Sequence, residues 1–315
     1  MDITSPKPDE QDAAAWATLA WQSGVGPVGF SRLLARFGSA QAALDASAKD
    51  LGVPSLKLKP NQIESISSAA GNVQQVAKLI TGLGSDGIEV ICAFEDHYPP
   101  LLRAATNPPP VICVRGTLVP EDDPALAIIG TRRPTRDGDA NARAIARACA
   151  ERGVTIVSGL ALGVDSAAHR GALDAGGRTV AVLGSGLRRI YPPKNKRLAA
   201  HIARSGALIS ETPPGANTSA ARLLGRNRLT AALSRGVVTV EATDDSGTMR
   251  TVRDAIALGL PLFACDWQAD KPQADGTRTA LALGAEPILG PDAADFIIET
   301  IRTHQPPPPD QPALL

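Results

Sequence analysis

Aromatic residues are scarce in this chain: 315 residues include five Phe, three Trp and two Tyr. A protein that holds single strands by stacking successive bases needs an aromatic platform, and this one cannot supply it at many bases. Cysteine is almost as sparse. Cys92, Cys113, Cys149 and Cys265 lie far apart with no CxxC pair, which argues against a disulfide framework or a zinc site and reads them as small buried hydrophobes in a reducing compartment. No apolar run approaches the roughly 20 residues that span a bilayer. The start, MDITSPKPDE, lacks the basic and apolar regions of a secretion signal. The expectation is a cytoplasmic protein of roughly two domains with no membrane segment.

Net charge is also missing, with 32 basic and 32 acidic residues. The total hides its distribution. Residues 1–129 hold 9 basic and 14 acidic side chains, residues 130–236 hold 18 and 6, and residues 237–315 hold 5 and 12. A block of +12 therefore stands between flanks of −5 and −7. An anionic ligand for the middle of the chain fits this asymmetry, and so do ordinary solvated helix faces rich in arginine.

Apolar positions at helical spacing run through residues 12–45, 61–70 and 73–83, which predicts a small all-helical N-terminal domain over 1–85. Its turn Ser23-Gly24-Val25-Gly26-Pro27 resembles a helix-hairpin-helix. Such a turn can offer amides to a phosphate, but glycine more often serves there for its backbone freedom alone. Residues 88–94 and 111–114 read as strands around proline-rich connectors. From 125 onward short apolar strands (125–129, 154–157, 179–183, 207–209, 237–240 and 261–264) alternate with helices (139–152, 165–173, 196–204, 227–233 and 247–258). Continuous apolar strands separated by helices predict an α/β domain over 86–303, a Rossmann-like, doubly wound, mostly parallel sheet with its ligand beyond the strands' carboxyl ends. The proline-rich tail, 304–315, has too little apolar surface to fold.

At those strand ends stand Gly130-Thr131-Arg132-Arg133, Ser158-Gly159, Gly184-Ser185-Gly186, Lys194-Asn195, Ser210-Glu211, Arg226-Asn227-Arg228 and Ser246-Gly247-Thr248. Small residues, hydroxyls and arginines at such positions make a phosphate-binding rim. The rim spells no nucleotide fingerprint: there is no P-loop, and Gly184–Gly186 lacks the third glycine of the dinucleotide pattern. No cofactor or metal is expected.

Five segments come in a fixed order: Ile-Gly-Thr-Arg-Arg-Pro from 129, Ser-Gly-Leu-Ala-Leu-Gly-Val-Asp-Ser-Ala-Ala-His from 158, Tyr191-Pro192 with Asn195, Ser210-Glu211 with Pro213, and Arg226-Asn227-Arg228. Together, over about residues 98–264, they resemble the DNA-processing protein A family (DprA, also called Smf), and the N-terminal region resembles that family's SAM or helix-hairpin-helix-like domain. The resemblance implies a non-enzymatic mediator that binds and protects single-stranded DNA, forms a homodimer and loads a RecA-type recombinase in natural transformation. It implies phosphate contacts from Arg132 and Lys194, a pocket floor of Ser158 and Gly159, a wall of Asn195, Arg226, Asn227 and Arg228, and neighbouring contacts from Gly130 and Arg133. The chain departs from the pattern at Leu162, where the family has arginine, at Leu224-Gly225, at Cys265-Asp266-Trp267, and in its proline tail, where many relatives carry a winged helix. A second reading is a nucleotide sensor or nucleotide-processing enzyme of the related lysine-decarboxylase-like group, whose glycine-rich signature Ser246-Gly247-Thr248 echoes only in part.

Two further constellations bear on catalysis. Asp165 and His169 lie four apart, one helix face presenting both. They form either an acid/base pair or, the plainer reading, a helix cap and a locally bonded histidine. Glu211 and Glu241 follow two strands. They could serve glycosidic chemistry, but the arginine excess reads them as partners of the Arg226–Arg228 cluster. With so few aromatics, DNA affinity is expected from phosphates, with steep salt dependence and little sequence preference.

Overall fold

A computed structural model describes residues 10–267 and 272–304. The chain divides into two compact units. The first runs up to Tyr98 and includes Thr106–Ile112. It holds α1 (Glu10–Gln22), α2 (Pro27–Phe37), α3 (Ala40–Leu44), α4 (Ala48–Leu51), α5 (Pro60–Ala69), α6 (Val73–Leu83) and β1 (Ile88–Cys92). Local chemistry sets these boundaries. Pro27 starts α2, Gly38 ends it in the left-handed conformation, and Ser39 and Ser47 cap the next two helices with their side chains. Trp16 packs its ring against Phe30 and Phe94 in the core of this unit. The turn between α1 and α2 is closed by its own unit. Ser23 Oγ accepts from Val25 N–H at 3.2 Å, and the Gly24 carbonyl accepts from Gln62 Nε2 at 2.8 Å.

Among the described residues, the second unit comprises Pro99–Ala105 and the chain from Cys113 to His304. It contains α7 (Pro100–Arg103), most of β2 (Val111–Gly116), β3 (Ala125–Ile129), α8 (Arg136–Ala150), β4 (Thr155–Ser158), α9 (Val164–Asp174), β5 (Thr179–Val182), α10 (Lys196–Ser205) and β6 (Ala207–Ser210). There follow α11 (Ala220–Ala232), β7 (Val237–Thr239), α12 (Gly247–Ala257), β8 (Leu262–Cys265), α13 (Asp275–Ala282), β9 (Glu286–Ile288) and α14 (Ala294–Thr303). Its strand order is β2-β6-β5-β4-β3-β7-β8-β9. Every pair is parallel except β2–β6, where Cys113 faces Ser210.

Alternation along β3 explains the double winding. Leu126 and Ile128 enter one core with residues of α8, α9 and α14, while Ala127 and Ile129 enter a second with residues of α12 and α13. The chain builds β3 to β6 outward on one side, then returns to place β7 on the other side of β3. Ligands of such sheets sit at that reversal. All four cysteines are free and buried, and burial pushes the thiols of Cys113, Cys149 and Cys265 up to about 12, so they stay protonated. Among the described residues no helix is long and apolar enough to cross a membrane.

Two expectations change. Arg226-Asn227-Arg228 does not open a helix but lies in the middle of α11, which begins at Ala220 behind the side-chain cap of Ser219. Residues 275–282 and 286–288, left unassigned by the apolar pattern, form α13 and β9. The proline tail lies outside the described residues apart from His304, whose Nε2 pairs with the Gly259 carbonyl at 2.6 Å.

Candidate functional site

A crevice of about 510 Å³ opens at the reversal point. Four segments line it: Ile129–Arg133 after β3, Ala161 and Asp165 around the start of α9, one face of α11, and Ser246, Gly247, Thr248 and Thr251 at the start of α12. The α11 face contributes Leu223, Leu224, Arg226, Asn227 and Thr230.

The loops approach one another closely because of glycine. Gly163 sits at φ +80, and a β-carbon there would collide with Thr131 and Pro134. Val164 N–H donates to the Thr131 carbonyl at 3.2 Å, joining the loop after β3 to the start of α9. Gly159 makes room for Arg226, since any β-carbon would overlap its guanidinium. Leu160 adopts φ +59, a conformation costing a non-glycine residue roughly 1–2 kcal/mol. Its fully buried side chain and a bond from Asn195 Nδ2 to its carbonyl at 2.8 Å hold it there.

Arg226 is 7% exposed, its Nε has no hydrogen-bond partner among the described residues, and its Nη1 reaches Thr230 Oγ1 only at 3.5 Å. Burial lowers its pKa, the Asp165 carboxylate opposes that shift, and Arg132 adds a repulsive charge. Burial likewise raises the pKa of Asp165, against the field of Arg226 and the amides of Ala161 and Gly159. Those amides donate to Asp165 Oδ2 at 3.2 and 3.1 Å. Asp165 therefore organises the preceding loop and faces Arg226, and α9's own N-cap is Gly163. His169 does not line the crevice. It is fully buried, and its Nδ1 is 2.7 Å from Thr179 Oγ1. Because that hydroxyl donates to the Ile156 carbonyl at 2.7 Å, it accepts from His169, which leaves Nε2 unprotonated and without a partner among the described residues. Burial first, then Arg226 and Arg170, push its pKa down to about 3, so the ring is neutral. The plainer reading of this pair holds for the histidine and is replaced for the aspartate.

The residues singled out from the sequence separate into three groups. Gly130, Arg132, Arg133, Arg226 and Asn227 meet in the crevice, with Arg132 and Arg133 exposed and Asn227 Nδ2 donating to the Gly247 carbonyl at 2.8 Å. Ser158, Gly159 and Asn195 lie beneath it, committed to the protein: Ser158 Oγ donates to the Ile128 carbonyl at 2.6 Å, Gly159 N–H to Asp165, and Asn195 Nδ2 to Leu160 and Ser166. These donors are spent inside the protein, and none of the three residues is among those lining the crevice. Lys194 and Arg228 form the third group. Lys194 is exposed on the turn that Asn195 ties to the loop carrying Ala161, while Arg228 pairs with Glu211. Glu241 pairs with no arginine among the described residues. Its carboxylate accepts from Thr135 N–H at 2.8 Å and Thr135 Oγ1 at 2.6 Å, fastening the start of α8. Ser246, Gly247 and Thr248, read from the sequence as part of the rim, line the crevice, and so do Thr230 and Thr251, which lie inside helices and carried no strand-end signal.

A family model described as DNA recombination-mediator protein A matches residues 89–301, and one described as a DprA-like N-terminal HHH domain matches residues 10–58. Protein Smf of Synechocystis is 35% identical over 283 residues, covering 88% of this chain and 70% of the relative. Among solved structures, DNA processing protein A from Streptococcus pneumoniae superposes with a TM-score of 0.74 at 25% identity, covering 94% of this chain and 99% of that one. DNA processing protein A from Helicobacter pylori, a structure describing a single-stranded DNA binding mode, gives 0.61 at 31% identity, covering 69% and 97%.

Proposed function

Because this chain belongs to the DNA recombination-mediator protein A family, we propose that its crevice binds the backbone of single-stranded DNA without catalysing a reaction on it. The observation that carries this reading is convergence. A buried arginine, two exposed arginines and a helix N-terminus meet at the reversal point of the sheet, around a lining with no aromatic residue. Such a site grips phosphates and leaves bases unread. Asp165 is the only acid among the described lining residues, and its Oδ2 is engaged by two amides, which supports a binding role over acid–base chemistry. Lys194, on the turn fastened to the Ala161 loop, extends the basic track. The homodimer, the protection of incoming DNA and the delivery of strands to a RecA-type recombinase in natural transformation belong to the same proposal and rest on family membership.

The test is Arg132→Ala. Arg132 is exposed, so the fold should be kept while affinity for single strands falls roughly five- to tenfold, equally for all base compositions. Unchanged affinity at low salt would remove Arg132 from the interface.

A further inference from the structure

The crevice holds more anion-binding capacity than one backbone phosphate uses. α12 spans 11 residues, and its N-cap Ser246 makes no side-chain capping bond. The Ser246 hydroxyl is buried and has no partner among the described residues, and it lines the same crevice as Arg226. The first amides of a helix have no partner within that helix, and the positive end of the dipole lies there. Asn227, bonded to the Gly247 carbonyl, fixes this helix start beside α11, the helix that carries Arg226. Opposite stands Arg226, nine-tenths buried with an unpartnered Nε. Arg132 and Arg133 add two further cations, and the Asp165 carboxylate is the one opposing charge in the described lining.

A phosphodiester inside a strand carries a single charge. A phosphomonoester carries between about −1.5 and −2 at neutral pH and offers three strong acceptor oxygens. The crevice sets three arginines, a helix start and a hydroxyl with no partner among the described residues against one carboxylate, and its volume falls within the range of sites that enclose one small ligand. Its lining provides no ring on which a neighbouring base could stack.

We infer that this crevice is a phosphomonoester site, in which the start of α12 and Arg226 grip the terminal phosphate of a DNA strand or of a free mononucleotide. The inference rests on the single-strand reading above and adds a preference for the end of the strand to it.

The experiment compares two oligothymidylates, each labelled at the 3′ end, one with a 5′ phosphate and one with a 5′ hydroxyl. Binding to the full chain is followed by fluorescence anisotropy. The 5′-phosphorylated strand should bind at least about fivefold tighter. Ser246→Asp should bring that ratio to about one, because aspartate is a favourable N-cap that preserves the helix while placing a negative charge where the phosphate would sit. Circular dichroism checks that the variant is folded. Displacement of the phosphorylated strand by thymidine monophosphate, but not by thymidine, assigns the site to a free nucleotide as well. A preference that survives excess monophosphate assigns it to strand ends. Equal binding of the two strands by the parent overturns the inference and leaves strand binding in place. A ratio that persists in Ser246→Asp overturns the placement at α12. If neither strand binds, the reading beneath it fails too.

Discussion

Protonating His169 would put a second positive charge near Arg226 in a fully buried setting, and the ring is accordingly held neutral, with its pKa pushed down to about 3. In the unfolded chain the same ring titrates near 6.5. Between those values the unfolded state binds the extra proton, so this group's contribution to stability rises with pH and is lost as pH falls below about 6.5. The expected slope is about 1 kcal/mol per pH unit between pH 6 and 5. The raised carboxyl of Asp165 acts in the opposite sense, and comparison with a variant that retains it removes it from the difference. His169→Gln should flatten the slope by that amount in urea denaturation at each pH. Parallel slopes would mean the histidine is already charged in the fold. At this scale the sequence was readable where side chains face out. Gly130, Arg132 and Arg133 follow a strand, and the structure sets them in the crevice. Ser158 and Asn195 were not readable, because a hydroxyl or amide at a strand end serves an internal carbonyl as well as an external ligand, and only packing decides which.

Among the elements, α11 shows why some boundaries escaped. Leu224-Gly225 looks like a break, and the apolar pattern resumes only at Leu229. Yet Ser219 caps the helix ten residues earlier, and the chain runs straight through the glycine. A β-carbon on Gly225 would meet nothing within 4 Å. Gly225→Ala should therefore raise stability by roughly 0.5–1 kcal/mol, by removing backbone freedom from the unfolded chain. A fall in thermal or urea midpoint would show that the glycine is needed for shape. The parallel strands were legible because each is a continuous apolar run flanked by turn residues. β9, with Glu286 and Pro287 exposed and only Ile288 buried, carries no such pattern. Trp267, in the Cys265-Asp266-Trp267 departure, turns out to brace the sheet, its indole donating to the Val240 carbonyl at 2.5 Å.

Across the whole molecule, the basic block is partly spent on the protein itself. Arg143, Arg147, Arg152, Arg178, Arg228 and Arg235 all pair with carboxylates. Three of their partners, Asp122, Asp123 and Asp295, come from the acidic flanks. The +12 balance thus overstates what DNA can use. With Arg132, Arg133 and Arg226 in the crevice and Lys194 on the turn tied to the Ala161 loop, the proposed site would contact three or four phosphates. At about −0.7 per phosphate on single strands, the plot of log affinity against log salt should have a slope of about −2 to −3. A slope near zero would exclude phosphate-dominated binding, and one near −8 would mean that the paired arginines open to reach the strand.

The burial of Arg226 also has a kinetic side. An exposed arginine gives up rotamer freedom worth about 2 kcal/mol when a ligand pins it. Arg226 is enclosed by Gly159, Asp165 and Thr230 in the fold itself, so that loss has already occurred during folding. Its grip should then show in how slowly a bound phosphate leaves, while the exposed Arg132 and Arg133 govern how quickly one arrives.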